Sequence, residues 1–125
     1  MGAVRLFAGL ALATLAALPA SAEMRLLMAE QPGCVYCERW DREIADIYPL
    51  TDEGRTAPLF RVQIRDPLPE GITIARALTF TPTFVLLMDG VEVRRIEGYP
   101  GEDFFWGLLG MFIDEIALAE DQAAG

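Results

Sequence analysis

Two cysteines, Cys34 and Cys37, are the residues of this chain whose type and spacing most clearly predict chemistry. They are the only cysteines in the sequence, and two residues separate them. In such a pair one thiolate can attack a disulfide of another molecule, and the second thiol can then release that molecule from the mixed disulfide. The spacing therefore predicts a site of thiol–disulfide exchange.

The segments on either side indicate that the pair lies where a strand ends and a helix begins. The apolar run Arg25–Ala29 is typical of a strand, and Pro32-Gly33 is a turn signal. After the turn, apolar residues recur at the spacing of one helix face: Trp40, Ile44 and Ile47. Cys34 is thus expected in the first turn of a helix, where unpaired N–H groups and the helix dipole favour a thiolate.

Other interpretations of the two cysteines stay open. The N-terminal residues described below predict that the chain is exported, and in an exported domain two cysteines most often form a structural disulfide. The chain would then be a non-catalytic binding module. A bridge that closes so short a loop constrains the unfolded chain little, however, and this favours a redox-active pair. In a third alternative two chains share four thiolates around zinc or an iron–sulfur cluster, although one chain supplies only half of those ligands.

The N-terminal residues predict export. Residues 1–5 are weakly basic, residues 6–18 are apolar, and Pro19-Ala20-Ser21-Ala22 fits the small-residue pattern of a cleavage site. We interpret residues 1–22 as a signal peptide cleaved after Ala22, and residues 23–125 as one periplasmic domain. The apolar run is shorter than the ~20 residues needed to span a bilayer, so no stable membrane insertion is expected.

The composition excludes several classes of function. The chain contains no lysine and no histidine, which rules out a histidine base and histidine metal ligands. Loss of Arg5 with the signal peptide would change the net charge from −9 to −10, and such acidity argues against nucleic-acid binding. Four charged residues are predicted to be solvated surface features: Asp41, Glu43, Arg94 and Arg95.

Hydrophobic periodicity and turn signals predict the element order βαβαββα, an α/β fold with a mixed four-stranded sheet flanked by helices. The predicted strands are Arg25–Ala29, Leu59–Ile64, Thr83–Met88 and Val91–Ile96, the last two joined by an Asp89-Gly90 hairpin turn. Three helices are predicted. The first is Cys34–Tyr48, which is ended by Pro49 and followed by a polar loop at 51–54, and the second is Ile72–Leu78. The last runs from Glu102 to about Leu118 and is followed by a frayed tail at 119–125.

Thr81-Pro82 stands immediately before the predicted buried strand Thr83–Met88. With this dipeptide, residues 24–118 resemble the thioredoxin-like superfamily, in which a C-x-x-C opens the first helix and a cis-proline lies opposite it. The resemblance implies that Cys34 is the attacking thiol and Cys37 the resolving thiol, and that Thr81 and Pro82 offer backbone to a bound substrate strand. The chemistry that the resemblance implies requires no metal and no organic cofactor.

This chain departs from the thioredoxin pattern in several places. Met28 stands where thioredoxins bury an aspartate, and Glu30 or a water is the candidate substitute. Gly33 replaces a tryptophan. Tyr36, inside the motif, is similar to the residue of disulfide isomerases and glutaredoxins, and it is a candidate substrate contact. The redox potential is therefore not carried over, and a disulfide isomerase or oxidant that uses the same site stays an alternative.

Two longer stretches resemble the exported SoxS-type thioredoxin-like proteins of bacterial sulfur-oxidation (Sox) systems. These are the entry Gln31–Cys37 and the stretch Gly98–Trp106. This resemblance implies a periplasmic reductant of a protein thiol or disulfide, such as that of a sulfur-carrier protein. Because the periplasm has no reducing pool of its own, an inner-membrane thiol electron donor is then expected as a second partner.

Overall fold

A mixed sheet of four strands organises the computed structural model, which describes residues 2–4, 9–16 and 22–125. The strands are β1 (Met24–Glu30), β2 (Leu59–Gln63), β3 (Thr83–Met88) and β4 (Val91–Glu97), in the spatial order β2-β1-β3-β4. The parallel β1–β2 pair and the antiparallel β3–β4 pair confirm the predicted sheet.

Much of the predicted signal peptide, including Pro19-Ala20-Ser21 of its cleavage pattern, lies outside the described residues. Export and cleavage after Ala22 therefore stay predictions. Within the described ranges, no helix combines the length and the apolarity that crossing a bilayer requires.

The hairpin between β3 and β4 forms where the sequence predicts it. Asp89 and Gly90 both have positive φ, 51° and 81°, which matches the twist of the flanking strands. A Cβ at position 90 would lie 2.1 Å from the carbonyl oxygen of Gly71, so glycine is required there for space as well.

The helical residues after the cysteines differ from the prediction in a specific way. Helix α1 (Val35–Trp40) continues as a π-helical turn (Asp41–Ala45), and a 3₁₀ turn (Tyr48–Leu50) follows. A π-helical turn contains about one residue more than an α-helical turn, which changes the spacing of the residues that face the core. The buried positions after Trp40 are consequently Ile44 and Tyr48, while the predicted core residue Ile47 is 47% exposed.

Two predicted boundaries near this point are wrong. Pro49 lies inside the 3₁₀ turn and does not end the helix. The predicted polar loop at 51–54 instead opens helix α2 (Asp52–Thr56), because the Thr51 hydroxyl oxygen accepts the Gly54 N–H at 3.0 Å and caps that helix.

The predicted helix Ile72–Leu78 does not form, so the order βαβαββα is wrong at that element. The β-branched residues Ile72, Thr73 and Ile74 favour an extended chain. Alternate side chains, Ile72 and Ile74, then pack against the sheet, and Thr73 bridges to Val91 of β4. Arg95 holds the end of the segment by donating to the carbonyl oxygens of residues 76 and 77 at 2.9 and 3.3 Å.

Both faces of the sheet are covered. A small apolar cluster around Leu27 and Val85 lies under the 72–78 segment. The larger cluster lies on the opposite face, under α1 and the long helix α3 (Glu102–Ala124), which includes most of the tail predicted to fray. Its centre is Phe105, whose ring lies 4.9 Å from that of Phe84 and 5.8 Å from that of Trp40. This cluster fixes α1, and with it the cysteines, on the sheet.

We expect Phe105→Ala to lower the free energy of unfolding by about 3–5 kcal/mol, because it leaves a cavity among packed aromatic rings. Phe104→Ala is the matched control, since Phe104 is 69% exposed whereas Phe105 is fully buried. Urea denaturation of the two variants measures the difference. Equal destabilisation by both substitutions would contradict the central position of Phe105.

Candidate active site

Cys34 and Cys37 form a disulfide at the start of α1. The chain reaches this position through a turn at Gly33, whose φ is 75°, and the Cys34 N–H donates to the Gln31 carbonyl oxygen at 3.3 Å. Cys34 is the N-cap of α1, and its Sγ accepts the Cys37 N–H at 3.1 Å. The two cysteines are only 8% and 4% exposed. The disulfide is therefore largely buried, and both of its residues line an open cavity.

The Thr81-Pro82 segment lies beside the cysteine motif, and the peptide bond between its two residues is cis. The Gln31 side-chain amide donates to the Thr81 hydroxyl oxygen at 2.8 Å and so joins the two segments directly. Pro82 is buried, and its carbonyl oxygen accepts the Gly98 N–H at 2.7 Å. In the described part of the chain, the main-chain N–H and C=O of Thr81 have no hydrogen-bond partner.

Apolar side chains are exposed within the motif and directly before Thr81. Tyr36 and Val35, which separate the cysteines, are 57% and 68% exposed. Phe80, directly before Thr81, is 59% exposed. Large apolar groups that remain in water around a reactive centre are typical of a surface that another molecule covers. In the sequence, Gln31 belongs to the entry to the motif, but no contact is predicted for it and no role for Phe80, because no spacing pattern connects either residue to the site.

A cluster of charged residues lies beside the disulfide. Met28 is fully buried, and Arg61 is its neighbour in the β1–β2 register. The Arg61 guanidinium donates to the carboxylates of Glu30 and Asp41, each at 2.7 Å. Glu30 and Asp41 line an open cavity of about 230 Å³ that Cys34 and Cys37 also line. The Asp41 side chain is 42% exposed, as predicted for a surface residue, and it also lines this cavity.

A second charged group connects the helix after the motif to the turn before α3. The Tyr99 hydroxyl donates to one carboxylate oxygen of Glu43, and the Arg39 guanidinium donates to the other. These two hydrogen bonds, that of Tyr99 first, lower the pKa of Glu43. Burial and the Glu43 carboxylate raise the pKa of Tyr99. Glu43 is thus also more than a solvated surface residue.

The stretch Gly98–Trp106 has a structural explanation in these contacts. Tyr99 is buried and hydrogen-bonded to Glu43, and Phe105 is the centre of the aromatic cluster. Trp106 stacks on Tyr48, with the ring centroids 5.9 Å apart. The stretch packs the aromatic side chains of α3 against the segment that carries the cysteines.

Comparison with known proteins agrees with this geometry. A family model described as a thioredoxin-like domain matches residues 13–112. The chain belongs to the thioredoxin-like family. No curated protein sequence matches it significantly.

Among solved structures, the chain is similar to the reduced form of the periplasmic thioredoxin SoxS from Paracoccus pantotrophus. The two sequences are 65% identical, and the TM-score is 0.74. The match covers 75% of this chain and 99% of that one. This similarity confirms the predicted resemblance to SoxS-type proteins. The family match and the four-stranded mixed sheet confirm the predicted thioredoxin-like fold. With the paired cysteines, they support a thiol–disulfide oxidoreductase at a general level.

We expect Tyr99→Phe to raise the pKa of Glu43 towards its ordinary value, because it removes the largest cause of the lowered pKa. A lowered carboxyl pKa stabilises the fold above the ordinary value, and that stability is lost as the pH falls through the folded value. The variant should thus be less stable than the parent protein near neutral pH, and the difference should shrink as the pH falls below the ordinary carboxyl pKa of about 4.3.

Urea denaturation across this pH range is the measurement. Tyr36→Phe is the matched control, because it removes a hydroxyl from an exposed tyrosine that makes no side-chain hydrogen bond in the described part of the chain. A stability difference between Tyr99→Phe and the parent that does not change with pH would contradict the role of Glu43.

Proposed function

We propose that this chain is a periplasmic thiol–disulfide oxidoreductase that reduces a disulfide or an oxidised thiol on a partner protein. The observation that carries the proposal is that the motif of the Cys34–Cys37 disulfide is joined to Thr81, whose main-chain N–H and C=O have no hydrogen-bond partner in the described part of the chain. Gln31 connects the two segments by its hydrogen bond to Thr81.

In this proposal Cys34 attacks and Cys37 resolves. The Cys37 N–H already donates to the Cys34 sulfur, and the same N–H stabilises negative charge on that sulfur when the pair is reduced. The Cys34 thiolate displaces one sulfur of the partner disulfide and forms a mixed disulfide. The Cys37 sulfur then attacks Cys34, closes the intramolecular disulfide and releases the partner as a dithiol.

Thr81 and Pro82 are proposed to bind the partner. An extended partner segment can pair with the free N–H and C=O of Thr81 as one strand pairs with another. Buried Pro82 holds this backbone in place through its bond to Gly98. Tyr36, which lies inside the motif and is 57% exposed, would supply apolar contact. Backbone pairing would give affinity for many sequences, so the specificity would come from the exposed side chains.

The proposed partner is a sulfur-carrier protein with an oxidised cysteine. This choice rests on what the resemblance to SoxS-type proteins implies. The similarity to the periplasmic thioredoxin SoxS supports the periplasmic location, and residues 1–22 would supply the export signal, cleaved after Ala22. Each turnover leaves the chain as the disulfide. A thiol donor in the inner membrane would therefore have to return two electrons to it.

We expect Cys37→Ser to accumulate a stable mixed disulfide between Cys34 and the physiological partner, because the resolving sulfur is absent. Cys34→Ser is the matched control and should retain no partner, since its remaining sulfur is the more buried of the two. Capture from the periplasm, release by a reductant and mass spectrometry identify the protein. Recovery of many unrelated secreted proteins would contradict a dedicated reductase and favour a disulfide isomerase or oxidant.

We expect Tyr36→Ala to raise the KM for the trapped partner about three- to tenfold and to leave kcat almost unchanged, because a lost aromatic contact costs roughly 0.5–1.5 kcal/mol. Leu50→Ala is the control, since Leu50 is also an exposed apolar residue (69%, against 57% for Tyr36) but belongs to the 3₁₀ turn and not to the motif. An unchanged KM would show that Tyr36 does not contact the partner.

A further inference from the structure

The resolving step requires a proton acceptor for Cys37. A Cys37 thiol has to lose its proton before it attacks the mixed disulfide, because only the thiolate is the nucleophile. Cys37 is 4% exposed, and its environment includes the fully buried Trp40 one turn away. A bound partner further restricts the access of water. A group that takes the proton at this place would speed the release of the partner.

The cavity beside the disulfide contains three carboxylates. Its lining includes Cys37 and the acidic residues Glu30, Glu38 and Asp41, and also Gln63. Its volume of about 230 Å³ is large enough for several water molecules, each of which occupies about 30 Å³. A proton from Cys37 can therefore reach a carboxylate across this cavity.

Asp41 is the best placed of the three. It follows Cys37 by four residues, and its N–H donates to the Cys37 carbonyl oxygen. Residues at this spacing share one face of a helix, and side chains tilt towards the helix N-terminus, so that of Asp41 leans towards Cys37. Glu38 also lines the cavity, but it is the direct neighbour of Cys37 in sequence, and adjacent residues of a helix do not face each other.

The hydrogen bonds of the carboxylates also distinguish Asp41. Arg61 donates to one of its oxygens, Oδ1, and in the described part of the chain Oδ2 accepts no hydrogen bond. Both oxygens of Glu30 are engaged, one by Arg61 at 2.7 Å and the other by Gln63 at 3.4 Å. Arg61 thus holds Asp41 in place while leaving one oxygen open.

We infer that Asp41 accepts the thiol proton of Cys37 when Cys37 resolves the mixed disulfide, and that Arg61 and Glu30 position Asp41 for this step. The proton passes from Cys37 to Oδ2 of Asp41. The sulfur's electron pair forms the bond to Cys34, and the partner leaves as a thiolate. Asp41 then returns its proton to solvent or to the departing partner. This inference rests on the proposed roles of Cys34 and Cys37.

The reaction of the reduced protein with dithiobis(nitrobenzoate) separates the two steps. Attack by Cys34 releases one coloured nitrobenzoate thiolate, and resolution by Cys37 releases the second. We expect Asp41→Asn to leave the first release unchanged and to slow the second about tenfold or more near neutral pH. Resolution in this variant should also depend more steeply on pH than in the parent protein, because it requires Cys37 to ionise beforehand.

Two further variants make the result decisive. Glu38→Gln removes the same charge from the same cavity and should leave both releases almost unchanged. Asp41→Glu keeps a carboxylate and should restore most of the rate of the second release, which a purely structural role of Asp41 would not require. A second release in Asp41→Asn at the rate and with the pH profile of the parent protein would overturn the inference. Loss of the first release in the parent protein would instead contradict the proposed function.

Discussion

The antiparallel pairing of β1 with β3 determines where the two halves of the site lie. In its register Ala29 is opposite Thr83. The residues that follow β1 therefore emerge next to the residues that precede β3, and the disulfide lies beside Thr81. A slip by one residue would reverse the faces of every side chain in the strand. Such a slip is opposed because both faces of β1 are buried, with Leu27 on one side and Met28 on the other.

The position of the cysteines relative to that sheet depends on packing further along the chain. Helix α1 is short, and the π turn that follows it brings Ile44 and Tyr48 into the aromatic cluster. The Tyr48 hydroxyl donates to the Ala57 carbonyl oxygen at 2.7 Å, and Trp106 of α3 stacks on its ring. A six-residue helix alone would be marginal in water. Contacts with α3 and the sheet therefore hold Cys34 in its position at the end of β1.

The sequence predicts the parts of this protein that local patterns control. Thr83–Met88 forms a strand over the residues predicted, the Asp89-Gly90 turn forms, and Cys34 begins a helix. The prediction fails where tertiary contacts decide between two local patterns. Residues 72–78 fit a helical apolar spacing at Ile72, Ala75 and Leu78, but the bridge to β4 and the hydrogen bonds from Arg95 select the extended chain.

The charged residues of the site were the least predictable, for a related reason. Arg61, Glu30 and Asp41 come from three separate segments, and no spacing in the sequence connects them. Likewise, Arg95 is adjacent to exposed Arg94 in the sequence, yet its side chain is only 5% exposed and pairs with Glu92. A single sequence shows that a residue is charged but not which opposite charge the fold will bring to it.

The methionine at position 28 is consistent with where the carboxylates of this protein lie. An acid at that fully buried position would have to be paired or neutralised, because an isolated buried charge is costly. With Met28 there, the strand interior is apolar, and the acidic groups lie at the edge of the cavity. Arg61, beside Met28 in the sheet, reaches outwards and pairs with both Glu30 and Asp41. The core at this position therefore contains no charged group, while the carboxylates of Glu30 and Asp41 line the same cavity as Cys37.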